Sequence, residues 1–564
     1  MKQWILRETR SPRIDWHILC HRGVSDPGEV ERFMNPDYDK HLNDPYLLSD
    51  MERAVGRLTK AIEGDERVGI FADYDADGIC SAAVLSDFFK KVDFKNFFIH
   101  IPDRNKDGFG LSDDALRVFT KEKVSLLFTL DCGITNAEEV QILNKCGVDI
   151  IIVDHHLPQT GALPDAYAII NPKRDGETYP FPYLSGAGLT FKLVDAIMRK
   201  GVFNIPYGWE KWLLDLVAIA AVADMVPLIG ENRVLVRYGL EVLKKTRRPG
   251  LLSLYGKFRL KKNHFSEDDI AFTIAPKINI AGRMGDARES LTLLTTDSWD
   301  EAERIVNHLN GLYVDRKEAV NFIMKSIESN FAREEEIPGI ILCGDKSWHP
   351  GVLGLAANKA VEKYQSPVFL WGQGEGSDIK GSCRTDGSIN VVEMMRTVPS
   401  GFFNEFGGHE SAGGFATKAE KIGLIKNNLL TAYQSVSKQK IDNVLRLDAE
   451  VPIDEITWDF YELVNRLSPF GVENPKPIFW VRDAKIRGAR KFGEKGAHYR
   501  LEFEKSDGQI LPAIGFFASS HFWGQGELGI GNTVDLAASV EKNTFSREPE
   551  LRLRIVDVQL KNNE

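Results

Sequence analysis

The stretch FADYDADGIC, Phe71–Cys80, decides how this chain is read. The apolar run Val68–Phe71 in front of it has the length and composition of a short buried strand. Asp73, Asp75 and Asp77 then alternate, and Gly78 closes the turn into a helical segment, Ser81–Phe89. Carboxylates this close repel one another and raise each other's pKa unless a cation neutralises them. A divalent metal is the simplest such cation.

Outward from this stretch, short apolar runs recur at Phe97–Ile101, Leu126–Leu130, Ile150–Val153 and Ala168–Ile170, with amphipathic segments between them. That pattern predicts an α/β domain of buried parallel strands joined by helical crossovers. Asp131 follows one run, and Asp154, His155 and His156 follow another. All lie at carboxyl ends of predicted strands, where open α/β sheets place their ligands. Residues 212–224, WLLDLVAIAAVAD, read as a buried helix that delivers Asp224 at its end.

An isolated Asp-x-Asp is usually a solvated turn, and a His-His pair is weak evidence alone. Three such sets on one sheet are hard to explain as turns. Carboxylate-dominated ligation with one or two imidazoles suits Mn²⁺ or Mg²⁺ better than a thiolate zinc site. There are ligands enough for two divalent cations about 3.5–4 Å apart, the arrangement used in phosphoryl transfer. Asp131 suits a shared carboxylate, and Asp154 suits a partner that orients an imidazole.

With 564 residues, the chain exceeds what one core can serve, and roughly three or four domains are expected. Composition is that of an ordinary globular protein, 43% hydrophobic and 27% charged. No apolar run is long enough to span a bilayer, and the polar N-terminus lacks a secretory core, so a cytoplasmic location is the default. Six scattered cysteines without Cys-x-x-Cys spacing give neither a disulfide framework nor a cysteine zinc site. A net charge of −10 argues against indiscriminate duplex binding but leaves room for a local basic groove.

The predicted organisation is an N-terminal arm over 1–45 packed on the first domain, the α/β domain over 46–243 and a helical connector over 244–335. A smaller α/β domain over 336–440 and a β-barrel of OB type over 441–564 follow. Within the connector, Lys244–Lys262 reads as a solvated basic face and Glu301–Phe331 as one long helix. In the second α/β unit, SWHPGVLG, KGSCRTDG and EFGGHESAGGF read as glycine-rich stops between elements.

The strings DYDADG, LDCGI, VDHH and VADMVPL, in this order, resemble the four motifs of the DHH phosphoesterase superfamily, and GGHESAGGF resembles its companion DHHA1 motif. The chain is most similar to the RecJ branch, the bacterial exonucleases specific for single-stranded DNA. PYLLSDMERAV, IPDRNKDGFGLS, PKINIAGRMGDA, WHPGVLG, GSCRT and LSPFGVENPKP carry that likeness across nearly the whole chain. Asn358–Lys359 stand where relatives often show Ser-Arg, and Gly413 where they often show Ala. No expected ligand is missing.

The resemblance implies that Asp75, Asp77, Asp131, His155 and Asp224 are metal ligands, with Asp73 and His156 ligands or direct neighbours of the metals and scissile phosphate. It implies hydrolysis of single-stranded DNA from its 5′ end to 5′-mononucleotides in recombination and repair. Arg104, Arg283, Ser382 and Arg384 would grip the 5′-phosphate, since arginines and a hydroxyl fix both its charge and its orientation. His409 would face the scissile phosphate, and Phe109 would stack on or wedge a base. Trp348 and His349 would steer a helix N-terminus toward phosphate. In the barrel, Phe479, Trp480, Tyr499, Phe516 and Phe517 interleave with Lys485, Arg487, Arg490, Lys491 and Arg500, the makings of a stacking platform beside a cationic groove. A monomer is expected, with a single-strand-binding protein and a RecQ-type helicase supplying substrate. The rival readings are another DHH-type phosphodiesterase, such as a nanoRNase or cyclic-dinucleotide hydrolase, and an inactive DNA-binding scaffold.

Overall fold

The structure is a computed structural model. It describes the chain apart from residues 1, 105, 109, 159–162, 332–338, 375–377, 440–443, 494–495, 517–527, 545–547 and 562–564. Phe109 and Phe517 therefore lie outside the described residues.

The predicted runs form one five-stranded, all-parallel sheet. Its strands are β1 (Val68–Ala72), β2 (Phe97–His100), β3 (Leu126–Leu130), β4 (Asp149–Val153) and β5 (Ala168–Ile170), in spatial order β2-β1-β3-β4-β5. Every residue of β1 and β3 is buried, because helices cover both faces. The helices α1 (Ala76–Lys91), α2 (Gly186–Lys200) and α3 (Leu214–Ala223) build the larger side of the core. The order reverses between β1 and β3, so the crevice for a ligand opens above their carboxyl ends.

The arm packs differently from expectation. Gln3–Leu6 pairs in parallel with Val444–Leu447, and Ile18, Leu19, Val30, Phe33 and Met34 join the barrel's core with Val451, Ile456 and Leu467. Only from Tyr38 onward does the chain enter the first domain's core. The apolar faces of the arm's two helices, Ile14–His21 and Pro27–Met34, find their burial on the barrel, which sequence distance concealed.

The connector's long helix, α4 (Trp299–Phe331), serves two cores. Ala302, Ile305, Val306 and Leu309 belong to the first domain, whereas Val320, Ile323, Met324 and Ile327 lie under the second. At 33 residues it is a beam of roughly 50 Å. Before it, Arg248 departs from the expected solvated face: it is enclosed between Asp215 and Asp87 at 2.8 and 2.6 Å.

The second domain carries a mixed sheet of β6 (Ile341–Gly344), β7 (Val368–Gln373), β8 (Asp378–Arg384), β9 (Glu405–His409) and β10 (Ala412–Lys418), ordered β9-β10-β8-β7-β6. KGSCR and the two halves of EFGGHESAGGF are thus strands, not stops. Glycine disfavours strands in isolation, but here the bare backbone is needed for packing. A Cβ on Gly381 would lie 2.0 Å from the Phe415 ring.

The last domain is a closed barrel of Phe479–Phe492, His498–Glu504, Ile510–Gly515, Glu550–Leu560 and Thr533–Asn543 in that spatial order. The last strand pairs back on the first, which is the OB arrangement. A clasp joins it to the first domain. Leu228 donates its backbone N–H to the Val472 carbonyl at 2.9 Å. The fully buried Arg233 donates to the carbonyls of Phe33, Leu467 and Arg466. The string LSPFGVENPKP thereby locks the barrel to the loop that follows Asp224.

Candidate metal centre

The Asp-x-Asp-x-Asp turn enters α1 earlier than predicted. Asp75 is the N-cap and accepts from the N–H groups of Asp77 and Gly78, at 2.9 and 3.2 Å. Gly78 is required here, since a Cβ would stand 2.3 Å from the Asp73 carbonyl oxygen. Asp77 points across to the first turn of α2, where the N–H groups of Gly186 and Ala187 each donate to it at 2.7 Å. A helix N-terminus is a favourable seat for a carboxylate.

Asp131 follows β3 in the left-handed region, φ 61°, and Gly186 lies so close that a Cβ there would be 2.7 Å from that of Asp131. His155, at the end of β4, places Nε2 3.1 Å from Asp131, 3.7 Å from Asp224 and 3.9 Å from Asp77. His156 donates from Nδ1 to Asp154 at 2.8 Å, the orienting partnership expected of Asp154. Asp224 caps the C-terminal end of α3, as the sequence predicts.

These side chains form three overlapping groups whose ligand atoms lie within 4.8 Å: Asp131, His155 and His156; Asp77, His155 and Asp224; Asp73, Asp75 and Asp131. Asp73 Oδ1, Asp131 Oδ1 and His155 Nε2 are buried without a hydrogen-bond partner. Buried polar atoms are seldom left unmatched. Burial, reinforced by neighbouring carboxylates, pushes Asp73 up to about 7, Asp224 up to about 6, and Asp77 and Asp131 well above the usual range. Burial also drives the His155 imidazolium down to about 3, leaving a neutral ring suited to ligation. Burial opposes a charged His156 too, but the bond to Asp154 outweighs it and raises its pKa. Hard oxygen donors plus neutral imidazole, with three orphaned atoms among them, fit Mn²⁺ or Mg²⁺.

Beside this cluster a cavity of about 600 Å³ opens between the two α/β domains, lined by Arg104, Arg283, Ser382, Arg384 and the glycines of β9 and β10. All four residues predicted to hold a phosphate meet here. Arg384 donates to Ser382 Oγ at 3.1 Å, and Arg104 lies 5.0 Å from the Tyr74 ring centroid. None of the three guanidiniums has a carboxylate ion-pair partner among the described residues. Burial, with Arg104 and Arg316 nearby, lowers Arg283 to about 10; burial and Arg104 lower Arg384 as well. Unpaired, desolvated guanidiniums of one sign await an anion. A Cβ on Gly354 would fall 2.9 Å from the Arg384 guanidinium, so that glycine lets the helix Pro350–Tyr364 approach.

Trp348, only 4% exposed, packs in the second core just ahead of the helix Pro350–Tyr364 and offers no ring to a phosphate. His349 accepts the Gly351 N–H at 3.1 Å and so caps that helix itself. His409 is exposed at the end of β9 and does not line the cavity. In the barrel, Phe479 is core and Tyr499 is nearly so, while Arg482 covers Trp480 at 3.9 Å and Arg554 lies 5.3 Å from Phe516. Arg500 is paired to Glu550 and Glu502, and Arg487 to Glu504, which removes two cations from the expected groove. Gly186, Ala187 and Tyr74 were missed. Backbone donors and a ring beside an arginine leave no charge pattern in a sequence.

The chain matches the DHH family, N-terminal domain, over residues 67–221, the DHHA1 domain over 336–434 and the RecJ OB domain over 447–557. It is 32% identical over 546 residues to the single-stranded-DNA-specific exonuclease RecJ of Bacillus subtilis, covering 96% of this chain and 67% of that protein. The chain belongs to the RecJ family. RecJ of Escherichia coli is 29% identical over 562 residues, covering 96% of this chain and 95% of that protein. Among solved structures, RecJ of Thermus thermophilus in complex with Mn²⁺ superposes with a TM-score of 0.79 at 25% identity, covering 99% of this chain and 80% of that one. The RecJ domain set therefore accompanies the α/β, DHHA1 and OB architecture of this chain.

Proposed function

We propose that this protein is a divalent-cation-dependent exonuclease that hydrolyses single-stranded DNA from its 5′ end and releases 5′-mononucleotides. The observation that carries this reading is the juxtaposition of two sites in one cleft: the carboxylate–imidazole cluster and, beside it, the arginine cavity. A cluster alone would suit any DHH-type phosphodiesterase. An anion pocket with Arg104, Arg283 and Arg384 beside it selects a substrate with a terminal phosphate.

In this reading Asp75, Asp77, Asp131, His155 and Asp224 hold two cations, with Asp73 and His156 at their edge. When bound, the cations supply an activated water and neutralise charge on the phosphoryl group. The protein's own groups do the rest. Gly186 and Ala187 fix Asp77, Asp154 orients His156, and the guanidiniums clamp the terminal phosphate so that the scissile bond is held one nucleotide further on. His409 stands ready at the exposed hairpin to meet the scissile phosphate as the strand enters. The barrel holds the trailing strand. Action as a cytoplasmic monomer, on strands supplied by a helicase and a single-strand-binding protein, belongs to the same proposal. Among the described residues no helix is long and apolar enough to cross a membrane.

End-labelled oligonucleotides test this. With Mn²⁺, a 5′-phosphorylated single strand should yield labelled mononucleotide from the 5′ end, while a blunt duplex and a 5′-hydroxyl strand react far more slowly. Release from the 3′ end, or a preference for dinucleotides, would overturn it.

A further inference from the structure

The carboxyl ends of the five parallel strands form one rim, and its charges follow the strand order β2-β1-β3-β4-β5. Arg104 comes after the edge strand β2, Asp73, Asp75 and Asp77 after β1, Asp131 after β3, and His155 and His156 after β4. Lys173 comes after β5, the opposite edge. At roughly 4.8 Å between neighbouring strands, the rim spans about 19 Å. The arginine cavity occupies one end of it, and Lys173 stands at the other.

The turn that carries Lys173 is tied to the metal centre. Asn171, fully buried, donates from Nδ2 to the His156 carbonyl at 2.9 Å and accepts the Lys173 N–H on Oδ1 at 2.8 Å. The next residue, Arg174, pins the turn to the first domain through Asp50 at 2.9 Å and Glu177 at 3.4 Å. Lys173 has no such engagement: its half-buried side chain makes no hydrogen bond or ion pair among the described residues. Burial lowers its pKa, against the pull of Asp224 and Asp154. Its charge reaches Asp224 and His155 in turn, although burial is the larger influence on each. The arginines face the other half of the cluster, Arg104 acting on Asp73 and Arg283 lying near Asp75. Carboxylates loaded with divalent cations offer this ammonium little negative charge. Its natural partner is then an anion brought by the substrate.

We propose that Lys173 binds a backbone phosphate of the strand on the 3′ side of the scissile bond. The inference rests on the strand-exonuclease reading and adds a second phosphate contact to it, across the metal centre from the arginines. The terminal phosphate then sits at one end of the rim and a backbone phosphate at the other, with the scissile bond between them. Two fixed phosphates set the line of the strand, whereas one leaves it free to pivot. A lysine suits this end of the rim, because its ammonium is a point charge that takes a phosphate without the bidentate geometry of an arginine. The contact carries no sequence information.

The test uses the full chain with Mn²⁺ and 5′-phosphorylated oligodeoxynucleotides carrying one neutral methylphosphonate at the second, third or fourth linkage, the first being left intact. Release of the first nucleotide is followed in a single turnover. For wild type the rate should fall roughly tenfold when the linkage that meets Lys173 is neutral. Lys173→Met should slow the intact strand by a similar factor and lose its sensitivity to that one linkage, whereas Lys173→Arg should keep both. The salt dependence of Lys173→Met should be shallower by about 0.7 in the log–log slope. Comparing intact with modified strands within one variant cancels any difference in folded fraction. A Lys173→Met variant as fast as wild type, or equally sensitive at every linkage, would overturn the proposal. So would recovery of its rate by added Mn²⁺, which would place the effect of Lys173 on the cations. Failure of wild type to release mononucleotides from the intact strand would instead take down the exonuclease reading and this inference with it.

Discussion

Asp131→Asn should separate what the metal centre does from what it costs the fold. Asp131 is 2% exposed, its Oδ1 has no hydrogen-bond partner, and burial together with Asp77, Asp75, Asp73 and Asp224 holds its pKa far up. Leaving a buried polar group unsatisfied costs about 1–3 kcal/mol. Asparagine keeps the shape and, at φ 61°, tolerates the left-handed backbone. Alanine there adds roughly 1–2 kcal/mol of strain, which would confuse the result. In EDTA the asparagine variant should therefore be more stable than wild type by about 1–3 kcal/mol, seen as a Tm higher by several degrees. Mn²⁺ should raise the wild-type Tm strongly and the variant's little, and nucleotide release should fall at least roughly 10³-fold.

The pH profile gives an independent reading. A carboxyl whose folded pKa is raised contributes stability that is complete below its unfolded value and lost as pH climbs through the folded one. With Asp224 at about 6 and Asp73 at about 7, metal-free wild type should lose stability from roughly pH 4 to 7. His155, depressed to about 3, acts oppositely between roughly pH 3 and 6.5 and offsets part of that loss. Saturating Mn²⁺ should flatten this window. If Asp131→Asn were no more stable in EDTA and still gained the full wild-type increment from Mn²⁺, the assignment of the cluster to cations would be wrong.

Other outcomes follow from single contacts. Gly186→Ala puts a Cβ 2.7 Å from that of Asp131 and displaces the N–H pair holding Asp77; overpacking of this kind costs about 1–3 kcal/mol, and activity should fall more than stability does. Arg384→Ala should erase most of the rate advantage of a 5′-phosphate over a 5′-hydroxyl strand, measured as a ratio of kcat/KM, with little change on the 5′-hydroxyl strand. Arg233→Met strips three carbonyls of their donor and should cost roughly 3 kcal/mol, exposing the barrel to limited proteolysis. Trp348→Ala opens a core cavity worth about 3–5 kcal/mol and should lower Tm without altering the 5′-phosphate preference.

Much of the metal centre was legible because its chemistry is concentrated. Carboxylates and imidazoles at strand ends are costly unless used, so Asp73, Asp131 and His155 stand out from their surroundings. The arginines were harder. Arg104, Arg283 and Arg384 come from three distant segments, and only the family likeness united them. Local propensity misled where tertiary packing won: the KGSCR and GGHESAGG strands exist because Phe415 and its neighbours demand bare backbone, and the arm helices bury their faces on a barrel more than four hundred residues away. The burial of Trp348 was not legible, because a tryptophan beside a histidine and a helix start looks the same whether it faces ligand or core. Gly186 and Ala187 contribute only N–H groups, which every non-proline residue has.

The hydrogen bond from Leu228 to Val472 joins the end of a metal-bearing loop to the neck of the barrel. The barrel is accordingly a fixture rather than an attachment. Removing it would free the segment that carries Asp224. A shortened chain would lose ground at the reaction centre itself, not merely in its hold on long strands. Exchange of barrels between relatives should succeed only when the four-residue neck Phe470–Glu473 travels with a matching Val226–Ile229.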